Sequence, residues 1–204
     1  MTAGTSSRTR LSPDERRAQL LDLGVRLLAT RSLDELSIDL LAEEAGISRG
    51  LLYHYFGNKH AFHEAVVRRA ADDLIAQTAP QADIDDPLEQ LAVSMAAYVD
   101  YVESNHAGYL SLVKGAQGGN ETLRAIYDEA RGALTDRIFS PPDGDGAQAE
   151  LIPDTPVVRL LVRSWAAMAE DLVLAWVAEP GDVTREELLH LLATSLPALV
   201  AATA

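Results

Sequence analysis

The chain contains no cysteine, so neither a disulfide framework nor thiolate metal or redox chemistry is open to it. Aromatic residues are sparse at 5%, and lysine is scarcer still, with only Lys59 and Lys114 beside an abundance of arginine. No alternation of apolar and polar residues marks a strand, and no internal repeat emerges. The opening "MTAGTSSRTR" lacks the apolar core of a secretory signal, and a cytoplasmic location is the resulting expectation. The longest uncharged run, Leu188 to Ala204, has 17 residues and carries His190 and Pro197. A membrane span needs about 20, so this run is expected to be a buried terminal helix, with no membrane partner. A Gly-rich phosphate loop, a nucleophile beside a base and a carboxylate pair are all missing, which argues against an enzyme and against a cofactor. His60, His63 and Glu64 have helical spacing that would suit a metal, but are expected to be ordinary solvent-facing side chains.

What is present suffices for one large core or two modest ones: 204 residues, 48% of them hydrophobic. The formal net charge of −14 is unevenly spread. Residues 1 to 70 hold ten Lys/Arg against nine Asp/Glu, whereas residues 71 to 204 hold seven against twenty-two. Phosphate recognition needs cationic surface, so a polyanion would have to meet the first third of the chain. The acidic remainder favours a neutral or cationic small molecule over an anion.

Almost every segment reads as helix, giving an all-α fold. Ser12-Pro13-Asp14-Glu15 combines an N-cap, a proline at the first helical position and a glutamate reaching back to the cap. The stripe Leu21, Val25, Leu28 carries that helix toward Thr30. Ser37 caps "IDLLAEEA", which Gly46 ends, and Ser48 caps the next helix after the two-residue joint Gly46-Ile47. So short a joint forces a steep crossing, the shape of a helix-turn-helix. A fourth helix runs from Asn58 or Lys59 to about Ala79, where Pro80 and "QADIDDP" break it. Three more are expected over Pro87–His106, Ala107–Ala116 and Asn120–Phe139, then a long loop "SPPDGDGAQAELIPDTP", then helices over Pro156–Ala178 and Thr184–Ala202.

The segment "SIDLLAEEAGISRGLLYHYFGNKHAF" resembles the DNA-binding segment of the TetR family of bacterial transcriptional regulators. Ser37, Leu41, Ala42, Ala45, Gly46, Ile47, Ser48, Gly50, Leu52, Tyr53, Tyr55, Phe56 and Lys59 fall on that family's pattern without a gap. The resemblance covers roughly residues 12 to 65. It implies that the first three helices bind operator DNA, and that the rest binds a small molecule and dimerises. Ligand would then release the DNA. The implied division is a disordered basic arm over 1–11, a helix-turn-helix domain with its connecting fourth helix over 12–79, and a helical ligand-binding and dimerisation domain over 80–204.

The candidate DNA contacts are Ser37, Ser48, Arg49, Gly50, Leu51, Tyr53, His54 and Lys59. Arg49 and Gly50 open the recognition helix, where a guanidinium can pair with guanine or touch phosphate. Tyr53 and His54 follow one turn on, while Lys59 and Ser37 sit at helix N-termini suited to flanking phosphates. Leu52, Tyr55 and Phe56 are expected in the core. Two departures from the family pattern stand out: Leu51 replaces a small or hydroxylated residue, and Asp39 and Glu43 place negative charge near the DNA face. Arg8, Arg10, Arg16 and Arg17 are read as a phosphate clamp on the arm, against the plainer reading of a solubilising tail.

For the ligand, Met95, Tyr98, Tyr101, Val102, Tyr109, Trp165, Met168 and Trp176 supply soft apolar and aromatic surface. Helical spacing alone would make most of them core. Glu170-Asp171, inside an apolar helix, would neutralise a cationic effector or lie on the exposed stripe of a dimer helix, and the second is expected. A homodimer through the last two helices follows because one short recognition helix reads too few bases, and because "VVRLLVRSWAAMAEDLVLAWVA" is apolar on more than one face. The alternative keeps the DNA-binding dimer and drops the small-molecule effector.

Overall fold

The computed structural model describes residues 12–139 and 152–203. The basic arm over 1–11, with Arg8 and Arg10, and most of the long loop lie outside the described residues. Nine α-helices and one short 3-10 turn make up the described chain, with no strand among the described residues. No helix there is long and apolar enough to cross a membrane.

Helix α1 (Pro13–Leu28) starts where the sequence puts it: Ser12 Oγ accepts from the Glu15 amide at 3.2 Å, and the Glu15 carboxylate accepts from the Ser12 amide at 2.7 Å. Such a cap is worth about 0.5–2 kcal/mol. Helices α2 (Ile38–Ala45) and α3 (Arg49–Phe56) are capped by Ser37 and Ser48, and α4 (Lys59–Gln77) by Asn58. Next come α5 (Pro87–Ser104), α6 (His106–Gln117) and α7 (Glu121–Asp136), which runs into the 3-10 turn Arg137–Phe139. Helices α8 (Pro156–Ala178) and α9 (Arg185–Ala201) complete the chain, the latter opened by a second capping box between Thr184 and Glu187. Helix ends fall within about two residues of the sequence reading, the ordinary uncertainty where a last turn frays. At the end of α4, Thr78 turns its hydroxyl back to the Leu74 carbonyl at 2.8 Å, two residues before Pro80.

Two apolar cores result. The first gathers Leu20, Leu36, Leu41, Leu52, Phe62 and Val66, and extends beyond α4 to Leu123, Ile126 and Ala130 of α7. The second joins α5, α8 and α9 through Val99, Val102, Val162, Leu192 and Leu196, and takes in Leu74 from the end of α4. Helix α4 therefore contributes to both. Helix α6 closes tightly on the end of α1, because a Cβ at Gly108 would stand 2.7 Å from Leu28 Cβ and 2.8 Å from the Leu28 carbonyl oxygen. Only glycine allows that approach.

His63 of α4 hydrogen-bonds through Nε2 to the Leu36 carbonyl, tying α4 to the segment before α2. Burial, the main cause, and the nearby charges of Lys59 and His60 hold its pKa below the ordinary imidazole value, against opposing effects of the Leu36 bond and Asp34. The folded pKa lies below the unfolded one, so the unfolded chain takes the proton first. Stability from neutral His63 is complete above about 6.5 and is lost as pH falls through the lower folded value. Thermal melting between about pH 7.5 and about pH 5.5 should drop for the wild type and drop less for His63→Gln. Equal drops would remove His63 as the cause.

Candidate DNA-binding face and adjoining cavities

The α2–α3 corner is built on Gly46, whose φ of 63° turns the chain while its amide and that of Ile47 return to the Glu43 and Ala42 carbonyls. Leu41, Leu52 and Phe56 are buried beneath it, and Ile47 and Tyr55 are half-buried against the same core. What remains outside is polar: Ser48, Arg49, Gly50, His54 and Lys59 are exposed, Ser37 and Leu51 are half-buried, and Tyr53 leaves 48% of its surface open. A large aromatic that exposed has no role in the core. Gly50 is informative for the same reason. Among the described residues a Cβ there would find only Ser48 Oγ, 4.0 Å away, so none of them requires glycine at the start of α3.

Asp39 faces Arg49 directly. Its carboxylate pairs with the Arg49 guanidinium at 2.5 Å, with both side chains more than half exposed. A solvent-exposed pair contributes about 0–1 kcal/mol, so Arg49 can exchange this partner for phosphate or a base edge at little cost. Arg16 and Arg17 are not part of an arm. Both lie within α1, where Arg16 donates to Gln19 at 2.7 Å and Arg17 sits over the Phe56 ring, 5.2 Å from its centroid.

Behind this domain lie two cavities. The first, of about 90 Å³, lies among α1, α4, α5, α6, α7 and α8. Two of the sequence candidates, Tyr101 and Tyr109, line it. The second, of about 120 Å³, is walled by the end of α4, α5, the 3-10 turn and α8, and is lined by Met95, Tyr98 and Trp165. Leu134, Thr135 and Ala166 border both. The other three candidates lie elsewhere. Val102 is in the second core, Met168 is 38% exposed, and Trp176 donates its indole N–H to the Val183 carbonyl at 2.8 Å.

Between the cavities runs a polar network that the sequence reading did not assemble. Glu170 of α8 accepts from Tyr109 Oη at 2.7 Å and from Tyr127 Oη at 2.5 Å, and pairs with Arg131 at 3.6 Å. Arg131 also donates to Tyr127 Oη, and the Tyr98 and Tyr109 hydroxyls share a hydrogen bond of 2.9 Å. Burial is the chief cause pushing these tyrosines toward the neutral form: Tyr98 and Tyr109 lie well above the ordinary phenol value, and Tyr127, which also donates to Glu170, is pushed up to about 12. Glu170 thus points inward, its side chain only 13% exposed, while its neighbour Asp171 faces solvent. The expectation of an exposed acidic stripe holds for Asp171 and fails for Glu170, because successive residues on a helix are about 100° apart. The missed members carried one legible signal: Tyr127 and Arg131 are four residues apart on α7, hence on one face.

Two sequence families match the chain. The one described as bacterial regulatory proteins, tetR family, matches residues 20–66, and the one described as Tetracyclin repressor-like, C-terminal domain, matches residues 87–199. The HTH-type transcriptional activator FasR of Mycolicibacterium smegmatis is 28% identical over 185 residues, which is 90% of this chain and 82% of that protein. The HTH-type transcriptional repressor KstR2 of Mycobacterium tuberculosis is 33% identical over 119 residues, covering 58% and 60%. Among solved structures, a tetR-family transcriptional regulator from Streptomyces coelicolor superposes with a TM-score of 0.81 at 33% identity, covering 95% of this chain and 85% of that one.

Proposed function

Because the chain belongs to the TetR family of bacterial regulatory proteins, and so is a DNA-binding transcription regulator, we propose that it acts as a repressor. It binds a palindromic operator as a homodimer and leaves it when a small molecule fills the cavities behind α4. The observation that carries the DNA half is the outward polar start of α3, with Arg49, Gly50, Tyr53 and His54 exposed above a core that needs none of them. The N-terminal end of a recognition helix is the part that meets base edges in the major groove. The ligand half is supported by the position of α4, which packs in the DNA-binding core at Phe62 and Val66 and lines the cavities at Val67, Leu74 and Thr78. A ligand there would change how α4 sits and hence the separation of two recognition helices across a dimer. The dimer is supported by exposed apolar residues on the last two helices: Val157, Leu160 and Met168 on α8, Leu191 and Leu199 on α9.

The test is fluorescence anisotropy with duplexes from the DNA flanking the protein's own gene, across a salt series. Arg49→Ala should weaken binding to one palindromic segment by roughly tenfold or more, and Tyr53→Ala should weaken it too. Lys59→Ala should weaken all sequences alike and lower the salt slope by about one. Asp39→Asn, which frees Arg49 from its ion pair, should tighten binding to operator and random DNA. If Arg49→Ala and Tyr53→Ala bind every duplex as the wild type does, α3 is not the reading helix. Operator affinity that responds to no cavity ligand would favour the effector-free dimer.

A further inference from the structure

The two cavities differ in how their arginines are neutralised. Arg131, in the first, has Glu170 as its counter-ion. Arg137 lines the second, and no carboxylate among the described residues pairs with it. Its guanidinium donates to the Ile75 carbonyl at 3.1 Å and to Thr78 Oγ1 at 2.6 Å, so that three of its five N–H groups have no acceptor among the described residues. Burial alone pulls its pKa below the ordinary guanidinium value. A half-buried cation facing an apolar space is stable only with an opposing charge or a full set of acceptors. Gln90 of α5 lines the same cavity, and both polar atoms of its carboxamide are buried with no hydrogen-bond partner among the described residues. Native interiors rarely leave such groups unmet. Most of the remaining wall is apolar or aromatic, including Leu91, Met95, Ile138 and Trp165, with the hydroxyl residues Thr78, Ser94 and Thr135 among them.

We propose that this second cavity binds an apolar molecule bearing one carboxylate, with the Arg137 guanidinium and the Gln90 amide as its head-group partners. This rests on the ligand-responsive reading above and names the ligand class. It also departs from the sequence expectation of a neutral or cationic effector: the domain is acidic overall, yet Arg137, which lines the cavity, has no carboxylate partner among the described residues. The head group would couple to DNA binding through a competition. Ile75 and Thr78 lie at the C-terminal end of α4, and Arg137 holds that end by its two neutral acceptors. A carboxylate is the stronger acceptor for a guanidinium, so binding at the open N–H groups weakens the hold of Arg137 on the last turn of α4 and loosens the helix that reaches the DNA-binding core.

Isothermal titration of octanoate, octan-1-ol and octylammonium into the full-length protein isolates the head group at constant chain length. The wild type should bind octanoate at least tenfold more tightly than octan-1-ol, a preference that shrinks to under about threefold in Arg137→Gln and largely survives in Arg137→Lys. Gln90→Leu should weaken octanoate several-fold while raising the melting temperature, since it removes an unmet buried amide. That pairing of signs would not arise from a merely structural residue, and it keeps the test alive should Arg137→Gln fail to fold. Octan-1-ol or octylammonium binding as tightly as octanoate, or no binding by any of the three at roughly 1 mM, overturns the proposal. Octanoate should also lower operator affinity of the wild type and not of Arg137→Gln. Binding with the expected preference but no effect on DNA would overturn the coupling through α4. Operator binding without any octyl ligand judges the regulator reading separately, because Arg137 lies far along the chain from α3.

Discussion

Leu160→Arg is expected to convert the proposed dimer to a monomer and to weaken operator binding about a thousandfold, the low end of the interval between specific and non-specific affinity. Leu160 leaves 67% of its surface exposed in the single chain, and Val157, at 61%, lies one turn before it on the same side of α8. On α9, Leu191 and Leu199 are exposed apolar residues as well. Monomers seldom present large contiguous apolar patches to water, and those that do have a partner for them. Two copies meeting on these helices would bury that surface by two-fold symmetry, placing each Leu160 near the symmetry axis or near its own mate. Arginine there brings like charges together in a dry interface. The monomer itself should be spared, because the position contributes nothing to either core and surface substitutions usually stay within about 0.5 kcal/mol. Sedimentation velocity at micromolar concentration, with circular dichroism as a check on the fold, reads the first effect, and anisotropy on the operator reads the second. A variant that stays dimeric and still binds the palindrome would place the interface elsewhere.

How much of this was legible in the sequence depended on the range of the interaction. Capping pairs such as Ser12 with Glu15 and Thr184 with Glu187 span three residues, and the structure shows both, so helix starts could be read directly. The helix-turn-helix was equally legible, since Gly46, Ile47 and Ser48 specify the corner locally and the exposed face of α3 follows from period 3.6. The cavities were another matter. Tyr109 and Glu170 are 61 residues apart in sequence, and Arg137 meets Thr78 across 59. Helical spacing told which residues were apolar and inward, but not which inward residues leave a gap between them. Val102 and Tyr101 are adjacent and both belong to the second core, yet of the two it is Tyr101 that also lines the first cavity. Bulk charge is silent on this as well: counting acids over the domain says nothing about Arg137, whose acceptors come from α4.

Glu170→Ala is expected to cost about 3 kcal/mol, the low end of the range for breaking a buried ion pair from one side. The low end applies because Arg131 keeps other acceptors, the Tyr127 hydroxyl and the Arg163 carbonyl. The Tyr109 hydroxyl would keep only Tyr98, and Tyr127 would lose its acceptor altogether. Glu170→Gln should cost roughly half as much, since the amide can still accept one tyrosine but turns an N–H toward the other. Tyr109→Phe should cost about 1 kcal/mol, and combining it with Glu170→Ala should cost less than the two added, because the substitutions share a bond. Urea denaturation of the wild type and the four variants provides those values. Strict additivity would mean that the network is a set of coincident contacts. Coupling would mean something more for the mechanism: the same carboxylate joins α6, α7 and α8 around the first cavity, so its loss should loosen the wall that α4 leans on. Operator affinity measured on Glu170→Ala should then fall in the absence of any ligand, although Glu170 itself lies outside the DNA-binding core.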